Sequence, residues 1–446
     1  MLFLRQVRPW GGPVVDVAIA NGRIVELGVD LPESGMVIEG RGDILLTGLH
    51  DHHLHVLALA ARKHSVDLSG IFNEADVRAA LAEAPPGPSV RAVDYDERAA
   101  GIPDRLMLDD WISDRPLRLA DRTGALRVLN SAALELLCGK DLPSGAELDS
   151  NGKPTGRFWR EDQWLAGALP SAPPVLSEVG NELAAMGLTS LTDAGAGNGP
   201  EEAALLAGAI PQRLTMMGSE ALGLGKSYAL GALKLLIDER DPPRPEDLAE
   251  RIVWARKAER AVAAHCVTEG ELAIYLAALD IAGGTQPGDR IEHGGVIPRA
   301  FLPVIARTSL KVVTNPTFIH DRGDRYRETF PEDSWCELYP NASLTKAGIE
   351  VLAGSDAPYS NVDPWLGMRS ARDRLTKAGA LIGAEERVTA LSALRLYCSG
   401  KIGPGAHADL IICSGTLEDI LTDLSKDRVR VTMIGGEVAF NRDGVA

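Results

Sequence analysis

ILLTGLHDHHLH, residues 44–55 of this 446-residue chain, joins an apolar stretch to a cluster of histidines. Residues two apart on a β-strand project to the same side, so His53 and His55 can direct two imidazoles at one point. We interpret the stretch as the first strand of a barrel that begins a metal site. Two isolated histidines can equally be solvent-facing or hydrogen-bonded without a function, so the pair needs support from the rest of the chain.

Four further residues, Lys234, His265, His293 and Asp356, end or follow apolar stretches. The steps between them are 31 residues (234 to 265), 28 (265 to 293) and 63 (293 to 356). A strand and its helix take roughly 30 residues, and the last interval contains another predicted strand, residues 310–314. The four residues are therefore predicted at the C-terminal ends of successive strands, where a TIM barrel carries its functional groups.

Composition excludes several classes of protein. A net charge of −16 argues against nucleic-acid and anionic-membrane partners. Five scattered cysteines without a CxxC spacing indicate a reducing compartment. They argue against a disulfide framework and against a cysteine zinc cluster. Residues 1–8 carry charges where a signal peptide is apolar, and no apolar run approaches the length of a membrane span. We expect a cytoplasmic protein that acts on a small-molecule substrate.

The fold class predicted is α/β, a TIM-like (β/α)8 barrel with a small β-sandwich domain formed by both chain termini. Strand patterns around the Asn21-Gly22 turn signal, and similar patterns near the C-terminus, place that domain at residues 1–45 plus 398–446. The barrel is predicted at 46–397, with an insertion around 66–174 punctuated by the proline-rich stretches 84–88 and 171–174.

Imidazole and carboxylate donors suit Zn²⁺ or another first-row divalent ion. Four histidines and one aspartate exceed what one tetrahedral ion with a bound water requires, so the residues are compatible with either one ion or two. A buried Lys234 would have a lowered pKa, and its neutral amine could add CO₂ to form an anionic carbamate that bridges two metals. The alternative is a lysine whose charge is simply paired at a strand end.

Such a site would turn a metal-bound water into hydroxide near neutral pH and polarise the attacked carbonyl. Asp356 is placed to accept the proton of that water and return it to the leaving group. The alternative is a carboxylate that caps the turn at residues 354–358, GSDAP.

Several motifs together resemble the amidohydrolase superfamily and, within it, the amidohydrolase-3 group. They are GLHDHHLH (48–55), GKPTG (152–156), SDAP (355–358) and GPGAHADL (403–410), with the lysine and histidines between them. The resemblance implies a homodimer and a full set of site residues. The implied metal ligands are His53, His55, His265, His293, Lys234 as an N6-carboxylysine bridge, and Asp356 as both ligand and general base.

Departures from that group leave the specificity open. Ala125 stands where the group often has a histidine, with Arg122 nearby, and Thr268-Glu269 stands where Gly-Asp is common. The candidate substrate-binding residues, each of which could instead be a solvated loop residue, are Tyr95, Glu97, Arg122, His320, Asp321 and Arg322. His320 is expected on the loop after the strand at 310–314. Two arginines would suit a carboxylate-bearing substrate if they converged.

These patterns predict a metal-dependent hydrolase that cleaves a C–N bond of an amide, carbamate or cyclic amide. A metal-dependent deaminase of a ring amidine is the alternative among enzymes. Deaminases of the superfamily that this chain resembles usually lack the bridging lysine and use one metal, so the metal content distinguishes the two. A catalytically silent relative that serves as a regulatory binding protein is the alternative outside them.

Overall fold

The computed structural model describes residues 1–32, 35–169, 175–398 and 400–444. The proline-rich stretch at 171–174, predicted to interrupt the insertion, lies outside these residues. The strands, in chain order, are β1 Leu2–Pro9, β2 Val15–Ala20, β3 Arg23–Gly28, β4 Met36–Glu39, β5 Ile44–Thr47, β6 Leu49–Leu54, β7 Val66–Asp67, β8 Val90–Tyr95, β9 Leu117–Asp121, β10 Leu126–Leu129, β11 Ala146–Leu148, β12 Pro154–Trp159, β13 Leu188–Asp193, β14 Arg213–Gly218, β15 Ala229–Leu235, β16 Val262–Cys266, β17 Arg290–His293, β18 Lys311–Thr314, β19 Val351–Ala353, β20 Leu410–Cys413, β21 Val429–Ile434 and β22 Glu437–Asn441. The α-helices are α1 Val56–Lys63, α2 Glu74–Ala82, α3 Arg105–Trp111, α4 Ser131–Glu135, α5 Asp162–Ala168, α6 Leu176–Ala185, α7 Pro200–Leu206, α8 Pro245–Lys257, α9 Glu269–Ile281, α10 Leu302–Ile305, α11 Thr317–Thr329, α12 Asn341–Lys346, α13 Pro364–Asp373, α14 Ala390–Arg395 and α15 Leu417–Asp423.

Eight parallel strands form a nearly closed barrel in the order β6-β13-β14-β15-β16-β17-β18-β19. The chain beyond β19 returns alongside β6: the Asp356 amide donates to the His53 carbonyl at 2.7 Å, and the His55 amide donates to the Ala357 carbonyl at 2.8 Å. The predicted α/β barrel is therefore confirmed. Strand β14 was not predicted.

Helices on the outside of the barrel strands bury their apolar faces against them. Helix α8 begins at Pro245, whose fixed φ suits a first helical turn, and it buries Leu248 and Ile252. Helix α9 begins with a capping box, in which Thr268 accepts from the Glu271 amide and Glu271 accepts in return. The residues that look like a departure at 268–269 thus start the helix that follows the His265 strand.

Strands from both ends of the chain share one further sheet, in the order β22-β21-β20-β5-β1-β2-β3, with β4 paired to β1. The predicted hairpin is confirmed, because β2 and β3 pair antiparallel around Asn21 and Gly22, which have φ of 50° and 74°. Whether this sheet makes a separate sandwich domain stays a prediction, as do the domain boundaries.

The chain divides into two compact units. The first comprises Met1–Val56 and Leu176–Ala446, and contains the barrel and the terminal sheet. The second, Leu57–Val175, contains a sheet in the order β11-β12-β10-β9-β8-β7. In the described parts of both units, no helix has the length and apolar character that crossing a membrane requires.

Candidate metal centre

The six predicted ligands lie at the C-terminal ends of barrel strands, as their spacing predicts. His53 is in β6 and His55 directly follows it, Lys234 is in β15, His265 in β16, and His293 ends β17. Asp356 follows β19, and strand β18 lies between β19 and the β17 strand that carries His293.

Contacts between these side chains bring five of them into one cluster. Asp356 Oδ1 lies 3.1 Å from His55 Nε2 and 3.4 Å from His53 Nε2. The His293 ring lies 4.6 Å from that of His53 and 4.5 Å from that of His265, measured between centroids. His53, His293 and Asp356 each offer one ligand atom, and these three atoms lie within 4.8 Å of one another. That spacing fits a bound cation.

Lys234 is the sixth member. Its side chain is 3% exposed, and its Nζ has no hydrogen-bond partner among the residues that the structure describes. Burial lowers the pKa of the ammonium, and the positive charge of Arg290 adds to that effect, although Glu292 and Asp356 oppose it. A buried amine without a partner costs free energy unless something else satisfies it, so Lys234 fits a site that contains a further group.

Backbone geometry holds Asp356 against β6, the first strand of the barrel. Asp356 has φ of 58°, in the left-handed region. At Gly354 a Cβ would lie 2.4 Å from the backbone nitrogen of His53, so this close approach requires glycine. Asp51 ties the two segments together, because its Oδ1 accepts from the amides of His53 at 3.1 Å and Ser355 at 3.0 Å.

The charge state of Asp356 follows from its neighbours. Burial would raise the pKa of this carboxyl, but hydrogen bonds with His53 and His55 hold it well below the usual range. The carboxylate is therefore ionised near neutral pH, as a metal ligand or a proton acceptor requires.

Two buried partners of the histidines were not predicted from the sequence. His53 Nδ1 hydrogen-bonds to Glu292, and His293 Nδ1 lies 2.8 Å from Asn315 Oδ1. Arg290 Nε donates to Glu292 Oε1 at 2.6 Å. The available signal was the charged pair Arg290 and Glu292 in a strand that a parallel barrel buries, where apolar residues are usual.

The profile of the amidohydrolase family matches residues 37–440. The chain belongs to this family. It is a hydrolase acting on carbon–nitrogen bonds, and family membership together with the cluster at the barrel rim supports metal-dependent hydrolysis.

Relatives of this amidohydrolase match over nearly its whole length. It is 25% identical to the N-substituted formamide deformylase of Arthrobacter pascens, over 96% of this chain and 95% of that protein. It is 24% identical to the putative amidohydrolase YtcJ of Bacillus subtilis, over 90% of each. An uncharacterized metal-dependent hydrolase from Pyrococcus horikoshii OT3 shares the fold, with a TM-score of 0.76 at 18% identity, over 93% of this chain and 98% of that one.

Three of the candidate substrate-binding residues of the amidohydrolase lie on helix α11. The expectation that His320 lies on a loop is wrong, because α11 already begins at Thr317, after Pro316 in helical conformation. His320 Nδ1 lies 2.9 Å from Asp321 Oδ1. Arg322 donates to the Tyr359 carbonyl at 3.0 Å and stacks on the Phe318 ring.

Helix α11 thereby supports the segment after Asp356. Asp321 Oδ2 accepts from the Asn361 amide at 2.9 Å, and Arg322 binds the Tyr359 carbonyl. The Tyr359 ring, which was not among the candidates, meets the His55 ring edge-on with centroids 5.6 Å apart. The guanidinium of Arg322 is thus engaged within the protein, and the substrate-binding role of His320 and Arg322 stays a prediction.

The other three candidates lie in the second unit. Tyr95 is buried at the end of β8 and its hydroxyl donates to the Gly101 carbonyl at 2.9 Å. Arg122 Nη2 donates to Glu97 Oε1 at 3.1 Å. These contacts account for the three residues without a substrate, and their proposed role in binding also stays a prediction.

Proposed function

We propose that this amidohydrolase cleaves the C–N bond of an amide, carbamate or cyclic amide at a divalent metal centre. The residues proposed to hold the metal are His53, His55, Lys234, His265, His293 and Asp356. The observation that carries the proposal is the buried cluster of His53, His293 and Asp356 beside the Lys234 amine, which has no hydrogen-bond partner in the part of the chain that the structure describes. The donors are imidazole and carboxylate without thiolate, a set that suits zinc.

A divalent ion bound by these residues would polarise a carbonyl oxygen and acidify a water molecule. The donor set fits such an ion because the Nδ1 atoms of His53 and His293 are already engaged by Glu292 and Asn315. Their Nε2 atoms therefore remain to bind it. Asp356, whose carboxylate lies between His53 and His55, contributes an anionic oxygen to the same place.

Lys234 is proposed to act as a carbamate. Its burial favours the neutral amine, and only the neutral amine can form a bond to the carbon of CO₂, with loss of one proton. The product is an anionic oxygen ligand in place of a cation. This would satisfy the buried nitrogen position and allow one residue to bridge two ions.

Asp356 is proposed as the general base. Its ionised carboxylate accepts a proton from the attacking water and then delivers it to the nitrogen that leaves. The position of Asp356 beside His53 and His55 holds the pKa of its carboxyl well below the usual range, so the carboxylate is ready to accept the proton without a prior ionisation.

Hydrolysis assays with metal analysis test the proposal. The first substrates to try are N-substituted formamides, because the Arthrobacter pascens relative carries that name; simple amides, carbamates and cyclic amides follow. We expect turnover of one class, loss of turnover on chelation, and recovery with Zn²⁺. A protein that binds metal but hydrolyses none of these classes would contradict the proposal and favour a silent regulatory relative.

The deaminase alternative is separated by stoichiometry. One ion per chain, unchanged by Lys234→Ala and accompanied by release of ammonia from ring amidines, would favour it.

The domain organisation and the partners of the protein are also proposed. We propose that the terminal sheet belongs to a β-sandwich domain at residues 1–45 plus 398–446, and that residues around 66–174 form an insertion in the barrel. A homodimer, the absence of nucleic-acid and membrane partners, and a cytoplasmic location stay predictions.

A further inference from the structure

Glu292 is the most completely buried charged group next to the proposed ligands. Its side chain has no solvent exposure, and one of its carboxylate oxygens hydrogen-bonds to His53 Nδ1. Arg290 binds the same carboxylate in bidentate fashion, with Nε 2.6 Å from Oε1 and Nη2 3.0 Å from Oε2. The same Nη2 donates to the His52 carbonyl at 2.8 Å. Arg290 thus links Glu292 to the backbone of the strand that carries His53.

These contacts fix the tautomer of His53. A carboxylate held by a bidentate arginine is anionic and can only accept hydrogen bonds. Nδ1 of His53 must therefore donate. In the neutral imidazole, the form that binds a metal, this leaves the free lone pair on Nε2, the atom that faces Asp356 Oδ1 at 3.4 Å. The arrangement presents His53 in the form that a metal requires.

His293 has a different partner. Asn315 Nδ2 donates to the Gly354 carbonyl at 2.9 Å, which leaves Oδ1 to accept from His293 Nδ1 at 2.8 Å. This partner fixes the same tautomer as Glu292 does, but it carries no charge. A charged acceptor increases the basicity of an imidazole more than a neutral one, so His53 should be the stronger ligand of the two.

We propose that Glu292, clamped by Arg290, is a positioning residue that holds the His53 ring with Nε2 directed at the metal centre and thereby tightens the binding of the ion there. The inference rests on the proposed metal centre and goes beyond it, because Glu292 is not itself one of the proposed ligands.

Substitution of Glu292 tests its role. Glu292→Gln keeps the shape but removes the charge, and loss of such a partner typically weakens metal binding by about 10–100-fold. We expect that weakening for bound zinc in chelator competition, and Glu292→Asp, which keeps the charge on a shorter side chain, should weaken binding less.

The matched control is Glu386→Gln. Glu386 is equally buried, at 1% exposure, and accepts a hydrogen bond from the Ser343 amide at 2.8 Å, but it contacts none of the proposed ligands. We expect its metal affinity to equal that of wild type. If Glu292→Gln also equals wild type while wild type binds zinc, the inference fails and the proposed function stands. If wild type binds no zinc, both fail.

Discussion

The barrel rim and the second unit both contain predicted functional residues, but their polar groups are satisfied in different ways. At the rim, Lys234 Nζ is buried without a hydrogen-bond partner in the described structure, and Asp356 has a left-handed backbone. In the second unit, Arg122 pairs with Glu97 and the Tyr95 hydroxyl binds a backbone carbonyl. The Lys234 amine thus has no partner among the described residues, whereas the Tyr95 hydroxyl and the charges of Glu97 and Arg122 are paired.

This difference distinguishes a site from a set of surface contacts. A buried amine without a partner costs free energy of the order of 1–3 kcal/mol, and a further group bound at the rim would remove that cost. Paired groups on partly exposed loops persist without a function. Variants at the rim should therefore change activity and metal content, and variants in the second unit should chiefly change stability.

Asp356→Asn should have the largest effect. The amide cannot accept a proton from water, so we expect kcat to fall by about 10²–10⁴-fold, measured on whichever substrate wild type hydrolyses. The exposed Asp241 offers the control Asp241→Asn, for which wild-type kcat is expected. A fully active Asp356→Asn would show that the carboxylate only caps its turn.

Lys234→Ala should come next. Without the bridging group we expect the metal content to fall from about two ions per chain to about one, as for a two-metal site that loses its shared ligand. Removing CO₂ and bicarbonate before adding metal should lower the loading of wild type but not of the variant. Elemental analysis of both proteins, with and without bicarbonate, checks this; identical loading in all four samples would contradict the bridge.

How far the sequence predicts this arrangement depends on the kind of residue. Lys234, His265, His293 and Asp356 could be placed because the length of a strand-helix unit sets a regular spacing along the chain. His53 could be placed because it lies two residues from His55 on a strand. The contacts between side chains on different strands have no comparable signal in the sequence. The contact of Glu292 in β17 with His53 in β6, on which its proposed role rests, becomes visible only in the folded barrel.

Loop residues were predicted less well for a related reason. His320 was expected on a loop, but Pro316 has helical dihedral angles and helix α11 starts directly after it. Strand β14 carries none of the predicted ligands, so the spacing argument gave no reason to place a strand there. Tyr95, Glu97 and Arg122 follow strand-like stretches, yet their partners are set by tertiary contacts within the second unit.

Asp96→Asn should have a moderate effect that depends on pH. Hydrogen bonds from Arg98, despite burial, lower the pKa of Asp96 from 3.8 to about 2. Because the folded pKa lies below the unfolded value, the stabilisation is fully present above about pH 4 and is lost as the pH falls through 2. The variant should be less stable than wild type by about 1 kcal/mol at neutral pH, since the charge of the exposed Arg98 is screened by solvent.

Urea unfolding at pH 7 and near pH 2 measures this, with Asp114→Asn, at an exposed aspartate of the same unit, as the control. The gap between wild type and Asp96→Asn should shrink at the lower pH. A gap of equal size at both pH values would mean that the charge of Asp96 does not stabilise the unit.

Arg122→Gln should have the smallest effect. Its ion pair with Glu97 is partly exposed, so we expect a change of less than about 1 kcal/mol in the free energy of unfolding and an unchanged KM. A large increase in KM with unchanged stability would instead place Arg122 in substrate binding and remove the contrast between the two regions.

Anomalous diffraction from crystals of the fully zinc-loaded protein, grown with bicarbonate, tests the metal centre most directly. We expect density bonded at about 2.0–2.2 Å to imidazole nitrogens and carboxylate oxygens, among His53, His55, His265, His293 and Asp356, with extra density on Lys234 Nζ. Zinc bound elsewhere on the chain, with these side chains free of metal, would contradict the account.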